Sequence, residues 1–207
     1  MILTHGANSL KVEDDSKVTI GGRDYPVVKI GNQLWMAENL DYAWEGLPIG
    51  QSTSSSHRAN YYDNDESTYG WNGRKCGLLY NSATLSELAS LLSDGWHIPS
   101  VSEWNELIAS TQDASNAALL VSNGNLSWAP SWTGSNMFGF NMIPSGQRYG
   151  SETFLGSGVN AVFWTSDSGY AIYRDYTSAT STLYSMFSVM SVYTYAQYSI
   201  RLVKDAS

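Results

Sequence analysis

The sequence predicts an α+β domain with small mixed sheets, two main helices, paired termini and long loops, and three observations carry that prediction. Two helix starts with capping signals stand together in mid-chain, strand patterns flank them on both sides, and Gly, Asn and Pro punctuate the rest. Composition agrees with a folded chain: 207 residues suffice for one substantial core, and 13% aromatics beside only 14% charged residues suit a core stabilised by buried rings.

Residues 1–22 read as an N-terminal segment packed on, or leading into, a domain over 23–207. The stretch "RDYPVVKIGNQLWMAENL" (23–40) places β-branched and aromatic residues on either side of Gly31-Asn32, the signature of a hairpin. Residues 46–77 are dense in Gly, Ser, Asn and Asp without periodicity, which predicts a long irregular loop. In "TLSELASLLS" Thr84 and Glu87 have capping-box spacing and Leu85, Leu88, Leu91 and Leu92 share a face; in "PSVSEWNELIAS" Ser100 and Glu103 repeat the box above a stripe of Val101, Trp104, Leu107 and Ile108. Both helices are expected to pack on a sheet. A short third helix is expected at 114–122, and strands in "GFNMIPSGQRYG", "NAVFWTSD", "LYSMFSVMSV" and "YSIRLVKD".

Several function classes are disfavoured at once. A net charge of −8 with no basic cluster offers nothing to nucleic-acid phosphates. No apolar run of about 18 residues spans a bilayer, and the opening "MILTHGANSLKVEDD" lacks a basic segment followed by an apolar one; direct membrane insertion is not expected. Cys76 is the only cysteine, so neither an intrachain disulfide nor a thiolate cluster is available. "DNDES" (63–67) fails as an EF-hand, with Thr68 and Arg74 where Gly and Glu belong, and reads as a solvated turn or as a loop-fixing set of hydrogen bonds rather than a metal site. His5, His57 and His97 are too scattered for a metal cage, and His97 in "GWHIPS" reads as structural. No nucleophile elbow, phosphate loop or zinc-protease motif occurs. The expectation is therefore no enzyme, no metal and no cofactor.

Seven blocks in order, "YPVVKIGNQLWMAENL", "YYDND", "GLLYNSATL", "GWHIPSVSEWNELI", "GFNMIPSGQR", "AVFWTSD" and "YSIRLVKD", resemble the Fibrobacter succinogenes major paralogous domain family over about residues 20–205. The resemblance implies a C-type lectin-like fold with strand-paired termini and a loop-rich binding face. Some members are similar to variable proteins of diversity-generating retroelements, whose variable segment lies between an "FW" block and a final strand, here between Trp164 and Ile200. Adenine-directed rewriting of asparagine codons yields Tyr, Ser, Asp, Ala and Thr; residues 165–199 are rich in these and contain no Asn, while Met186, Met190 and Gln197 would be fixed or belong to another template. The same superfamily includes formylglycine-generating enzymes, but those use a cysteine pair with copper and this chain has one cysteine. The family pattern also implies a framework role for Arg174.

The chemistry of the segment supports a binding face without reference to ancestry. Tyr offers large, rigid, amphipathic contact area at low entropic cost, and Ser and Thr offer adaptable hydrogen bonds. The expected ligand-contacting residues are Tyr170, Tyr173, Asp175, Tyr176, Ser181, Tyr184, Ser185, Ser188, Tyr193 and Tyr195. The expected partner is a protein or glycan on a cell or phage surface, met by an extracellular or surface-displayed protein. The competing reading makes the tyrosines ordinary sheet residues of a fixed carbohydrate-binding or adhesin module. Trp128, Trp132 and Trp164 raise sugar stacking, although burial is the commoner fate of Trp. Asn141, Gln147 and Arg148 are further contact candidates, with Arg148 more naturally a brace between loops.

Overall fold

A computed structural model describes residues 15–50, 58–65, 76–111, 135–149, 153–175 and 196–206, with the side chains of Arg174 and Asp175 excepted. The described chain is mixed α+β, with two α-helices and two sheets. The first sheet has the order β1 (Lys17–Ile20), β2 (Arg23–Ile30), β3 (Gln33–Met36), β11 (Val203–Asp205), all antiparallel. The strand nearest the C-terminus thus pairs with the expected hairpin, and β1, inside the N-terminal segment, pairs with β2. The hairpin forms as read: Ile30 faces Gln33 across a two-residue turn, and Gly31 takes a φ of 60° that only glycine adopts freely.

The second sheet runs β4 (Ala59–Asn60), β5 (Leu79–Asn81), β10 (Gln197–Tyr198), β6 (Ser145–Tyr149), β8 (Asn160–Trp164), β9 (Ala171–Asp175), with β7 (Thr153–Ser157) also paired to β6. The stretch expected as irregular loop therefore contributes β4, followed by a 3-10 turn at Tyr62–Asn64, because its backbone finds β5 as a partner. In that turn Asp63 and Asn64 take positive φ, and Asn60 Nδ2 donates to Asn64 Oδ1 at 2.6 Å. Of "DNDES", residues 63–65 are described, and they belong to a hydrogen-bonded turn.

Helix α2 (Val101–Ser110) carries the expected capping box: Glu103 N–H donates to Ser100 Oγ, and Ser100 N–H donates to Glu103 Oε2 at 2.7 Å. Helix α1 (Leu85–Leu91) departs from expectation. A 3-10 turn at Ser82–Thr84 leads directly into it, so Thr84 is already in the right-handed helical region and its hydroxyl donates backward to Asn81 O rather than capping. Only Leu88 of the leucine stripe is fully buried; Leu91, the last residue of the helix, is exposed. The helix expected at 114–122 and the strand expected in 183–192 lie outside the described residues.

Two apolar clusters occupy the two faces of β8 and β9. Ala161, Phe163 and Ile172 face Trp35, Trp104, Leu107 and Phe140, with the Trp35 and Trp104 rings 4.8 Å apart. Val162, Trp164 and Ala171 face Tyr80, Leu88, Ile98 and Tyr198. Alternation along a strand sends successive side chains to opposite faces, and here both faces are covered, so β8 is buried throughout. No helix among the described residues is long and apolar enough to cross a membrane.

Candidate functional site

The described residues at the two ends of the segment singled out by composition are well fixed. On the entry side β9 pairs with β8 over five residues, from Trp164↔Ala171 to Asn160↔Asp175. On the return side Gln197 pairs with Asn81 on one flank and Arg148 on the other. The two sides are joined: Trp164 N–H donates to Ser199 O at 3.0 Å, and Ser199 N–H donates to Val162 O at 3.0 Å. Ser199 Oγ also lies 2.8 Å from Ser145 Oγ.

Of the ten residues expected to contact ligand, Tyr170 and Tyr173 can be placed in full, and both are half-buried. Tyr173 packs its ring against the cluster around Tyr80, and Asn160 Nδ2 donates to its hydroxyl at 3.4 Å. Asp175 ends β9 and its side chain lies outside the description. Tyr176, Ser181, Tyr184, Ser185, Ser188, Tyr193 and Tyr195 lie outside the described residues, as do Trp128 and Trp132. Tyr198, by contrast, is interior at 2% exposure, its ring 4.5 Å from that of Trp164; burial pushes its hydroxyl pKa up to about 12. Trp164 is buried too, its indole N–H donating to Tyr80 O at 2.6 Å, so it supplies core rather than an open stacking platform.

Before β9, residues 165–170 form a tight loop pinned on several sides. Thr165 Oγ1 donates to Tyr170 O at 2.9 Å and to Asp167 O at 3.2 Å. Ser166 N–H donates to Pro99 O at 2.9 Å, and Val101 N–H donates to Asp167 Oδ2 at 2.7 Å, so a carboxylate sits at the positive end of α2. This loop and α1 enclose a cleft of about 670 Å³, with Ile98 and Trp164 at its base and His97 at its rim.

His97 is bound at every polar atom. Its backbone exchanges two hydrogen bonds with Val203, Nδ1 lies 2.8 Å from Gly95 O, and Nε2 lies 2.5 Å from Glu103 Oε1. Partial burial alone would lower the His97 pKa, but the Glu103 carboxylate and the Gly95 carbonyl outweigh it and raise the value. For Glu103, burial would raise the pKa, and the Ser100 N–H together with His97 overcomes this and lowers it.

Among the described residues, the most enclosed cation was legible in the sequence only as a strand residue. Arg201 is fully buried, donating Nε to Asn39 Oδ1 at 2.7 Å, Nη2 to Asn141 O at 2.9 Å, and Nη1 both to Met36 O at 3.1 Å and to Phe140 O. Its guanidinium lies 4.6 Å over the Phe140 ring. Burial lowers its pKa to about 9, which leaves it cationic at neutral pH. Arg148 is a brace, but between strands rather than the expected loops: from β6 its Nη1 donates to Asn60 Oδ1 of β4 at 3.2 Å and the guanidinium lies 5.6 Å over Phe154 of β7. Asn141 likewise serves structure, its N–H donating to Asn136 Oδ1 and its carbonyl accepting from Arg201.

A family model described as the Fibrobacter succinogenes major domain matches residues 28–204. The chain belongs to that family. Comparisons with curated proteins and with solved structures find no match. In this Fibrobacter succinogenes major domain the matched span begins inside β2 and ends inside β11, so it takes in both helices, most of both apolar clusters, the cleft and the whole Tyr-rich segment. Among the described residues, no group of three or more His, Cys, Asp or Glu side chains is placed to hold a metal ion, and Cys76 is buried and not part of a disulfide.

Proposed function

We propose that this Fibrobacter succinogenes major domain is a non-enzymatic ligand-binding protein with a C-type lectin-like scaffold, using residues 165–199 as a retroelement-diversified face. Its partner is a protein or glycan on a cell or phage surface, and the protein is displayed extracellularly. One observation carries the reading: a stretch composed of binding-loop chemistry is flanked by β9, which pairs along its length with β8, and by β10, which pairs with β5 and β6, and β8 is hydrogen-bonded through Trp164 to Ser199 just beyond β10. A rigid root lets the residues between change without unsettling the core, which is what a diversified face requires. Tyr170 and Tyr173 stand near the boundary, both half-buried, and Tyr173 packs on the core. A fixed carbohydrate-binding or adhesin module is the second reading, favoured by the pre-formed cleft beside the loop at 165–170.

The gene locus decides between the two. The diversified reading expects a nearby reverse-transcriptase gene and a near-copy repeat of the codons for 165–199, with differences confined to template adenines. A locus with neither, and an invariant segment across a natural population, would refute diversification and leave the fixed module.

A further inference from the structure

The cleft between α1 and the loop at 165–169 carries an unassigned chemistry. One stripe of α1 and the turn before it, Ser82, Leu85, Ser86 and Ala89, faces the opening at helical spacing. Across from it stand Ser166, Asp167 and Ser168. Among the described residues, none of the hydroxyls of Ser82, Ser86, Ser166 and Ser168 is taken up by another protein group. Asp167 uses Oδ2 on Val101 N–H, which leaves Oδ1 as an open acceptor. Hydroxyls of this kind both donate and accept, and Leu85 and Ala89 supply an apolar wall beside them.

We infer that this cleft binds one unit of a neutral saccharide. The inference rests on the ligand-binding reading of the chain but not on diversification of residues 165–199. Charge selects the class. Among the described residues, the lining holds no Lys or Arg, and its one basic ring, His97, has Nδ1 and Nε2 both committed, so these residues offer an incoming carboxylate or phosphate no uncommitted cation. A cationic ligand would meet only one open carboxylate oxygen. A neutral polyol instead matches a rim of hydroxyls, while its C–H face suits the Leu85 and Ala89 wall. The volume of about 670 Å³ lies within the range of small-ligand sites. The loop is held before any ligand arrives, by Thr165, Ser166 and Asp167, so little ordering cost remains to be met on binding.

The test is an NMR titration of the whole protein with the methyl glycosides of glucose, galactose, mannose and N-acetylglucosamine, followed at the backbone amides of residues 166–169. At least one glycoside is expected to give saturable shifts with a Kd on the order of 1–10 mM. Ala89→Trp, at an exposed helix position, is expected to fill the cleft and weaken binding at least about tenfold with an unchanged melting temperature. Absence of saturable shifts with all four up to about 100 mM, or shifts indifferent to Ala89→Trp, overturns the inference. A combined Tyr176→Ala, Tyr184→Ala, Tyr193→Ala and Tyr195→Ala protein separates the two proposals. Retained glycoside binding in it supports the cleft whatever the Tyr-rich segment does, and loss of glycoside binding in a protein that melts normally places the site elsewhere.

Discussion

Arg201→Ala removes the donor from four acceptors at once, and three of them, Asn39 Oδ1, Met36 O and Phe140 O, belong to buried residues. At about 1 kcal/mol net per hydrogen bond the four sum to roughly 4 kcal/mol. A cavity beside Phe140 adds to the loss, and relief from burying a cation offsets part of it, a cost visible in the guanidinium pKa of about 9. The net expectation is a destabilisation of about 3–5 kcal/mol, set by neutral acceptors left without a donor and by the cavity. Against a total stability of about 5–15 kcal/mol this brings the fold near its threshold. Urea denaturation with an unchanged m-value reads the loss directly. Arg201→Lys is expected to fall in between, because an ammonium keeps the charge but lacks the planar fork that reaches Asn39 and two separate segments. The consequence extends to function, since Arg201 lies two residues beyond Ser199, the joint between the two roots of the Tyr-rich segment. A midpoint for Arg201→Ala within about 1 kcal/mol of the parent would refute this account of the arginine.

Gly146→Ala is expected to cost at least about 2 kcal/mol: Gly146 sits at φ 68°, and a Cβ there would lie 2.6 Å from Leu155 O and 2.7 Å from Ser157 N, backbone atoms of β7 that have no room to yield. A thermal melt matching the parent would show that β6 and β7 can separate at little cost. For the His97 and Glu103 pair the two limbs of a pH profile carry opposite signs. The raised His97 pKa contributes stability that is complete below the ordinary 6.5 and disappears as pH rises through the folded value; the lowered Glu103 pKa contributes stability present above the ordinary 4.5 and lost as pH falls through the folded value. His97→Gln should therefore flatten the alkaline limb above the ordinary imidazole value of 6.5, where the raised His97 pKa makes stability fall with pH, and an unaltered slope there in denaturation midpoints would show the pair to be uncoupled from folding.

The sequence by itself determined the features whose partners lie within a few residues. Gly31-Asn32 closes a hairpin whose two strands flank it, and Ser100 with Glu103 caps a helix across three positions. The ordered blocks also determined the family, because seven local patterns in fixed order are a property of the chain rather than of its packing. Thr84 marks where even local reading failed: the same Ser, Thr and Asn alphabet serves a 3-10 turn equally well, and that turn displaced the cap. Tertiary structure alone decided that 59–60 is a strand, since β5 lies about twenty residues away. It also turned Tyr198 and Trp164 inward and made Arg201, an ordinary strand residue by pattern, the hub of segments 60 to 165 positions distant. The cleft has the same origin, α1 meeting a loop about eighty residues further along the chain. Spacing along a chain encodes which groups can meet through one helical turn or one hairpin, whereas meetings across a fold depend on the order in which strands enter a sheet.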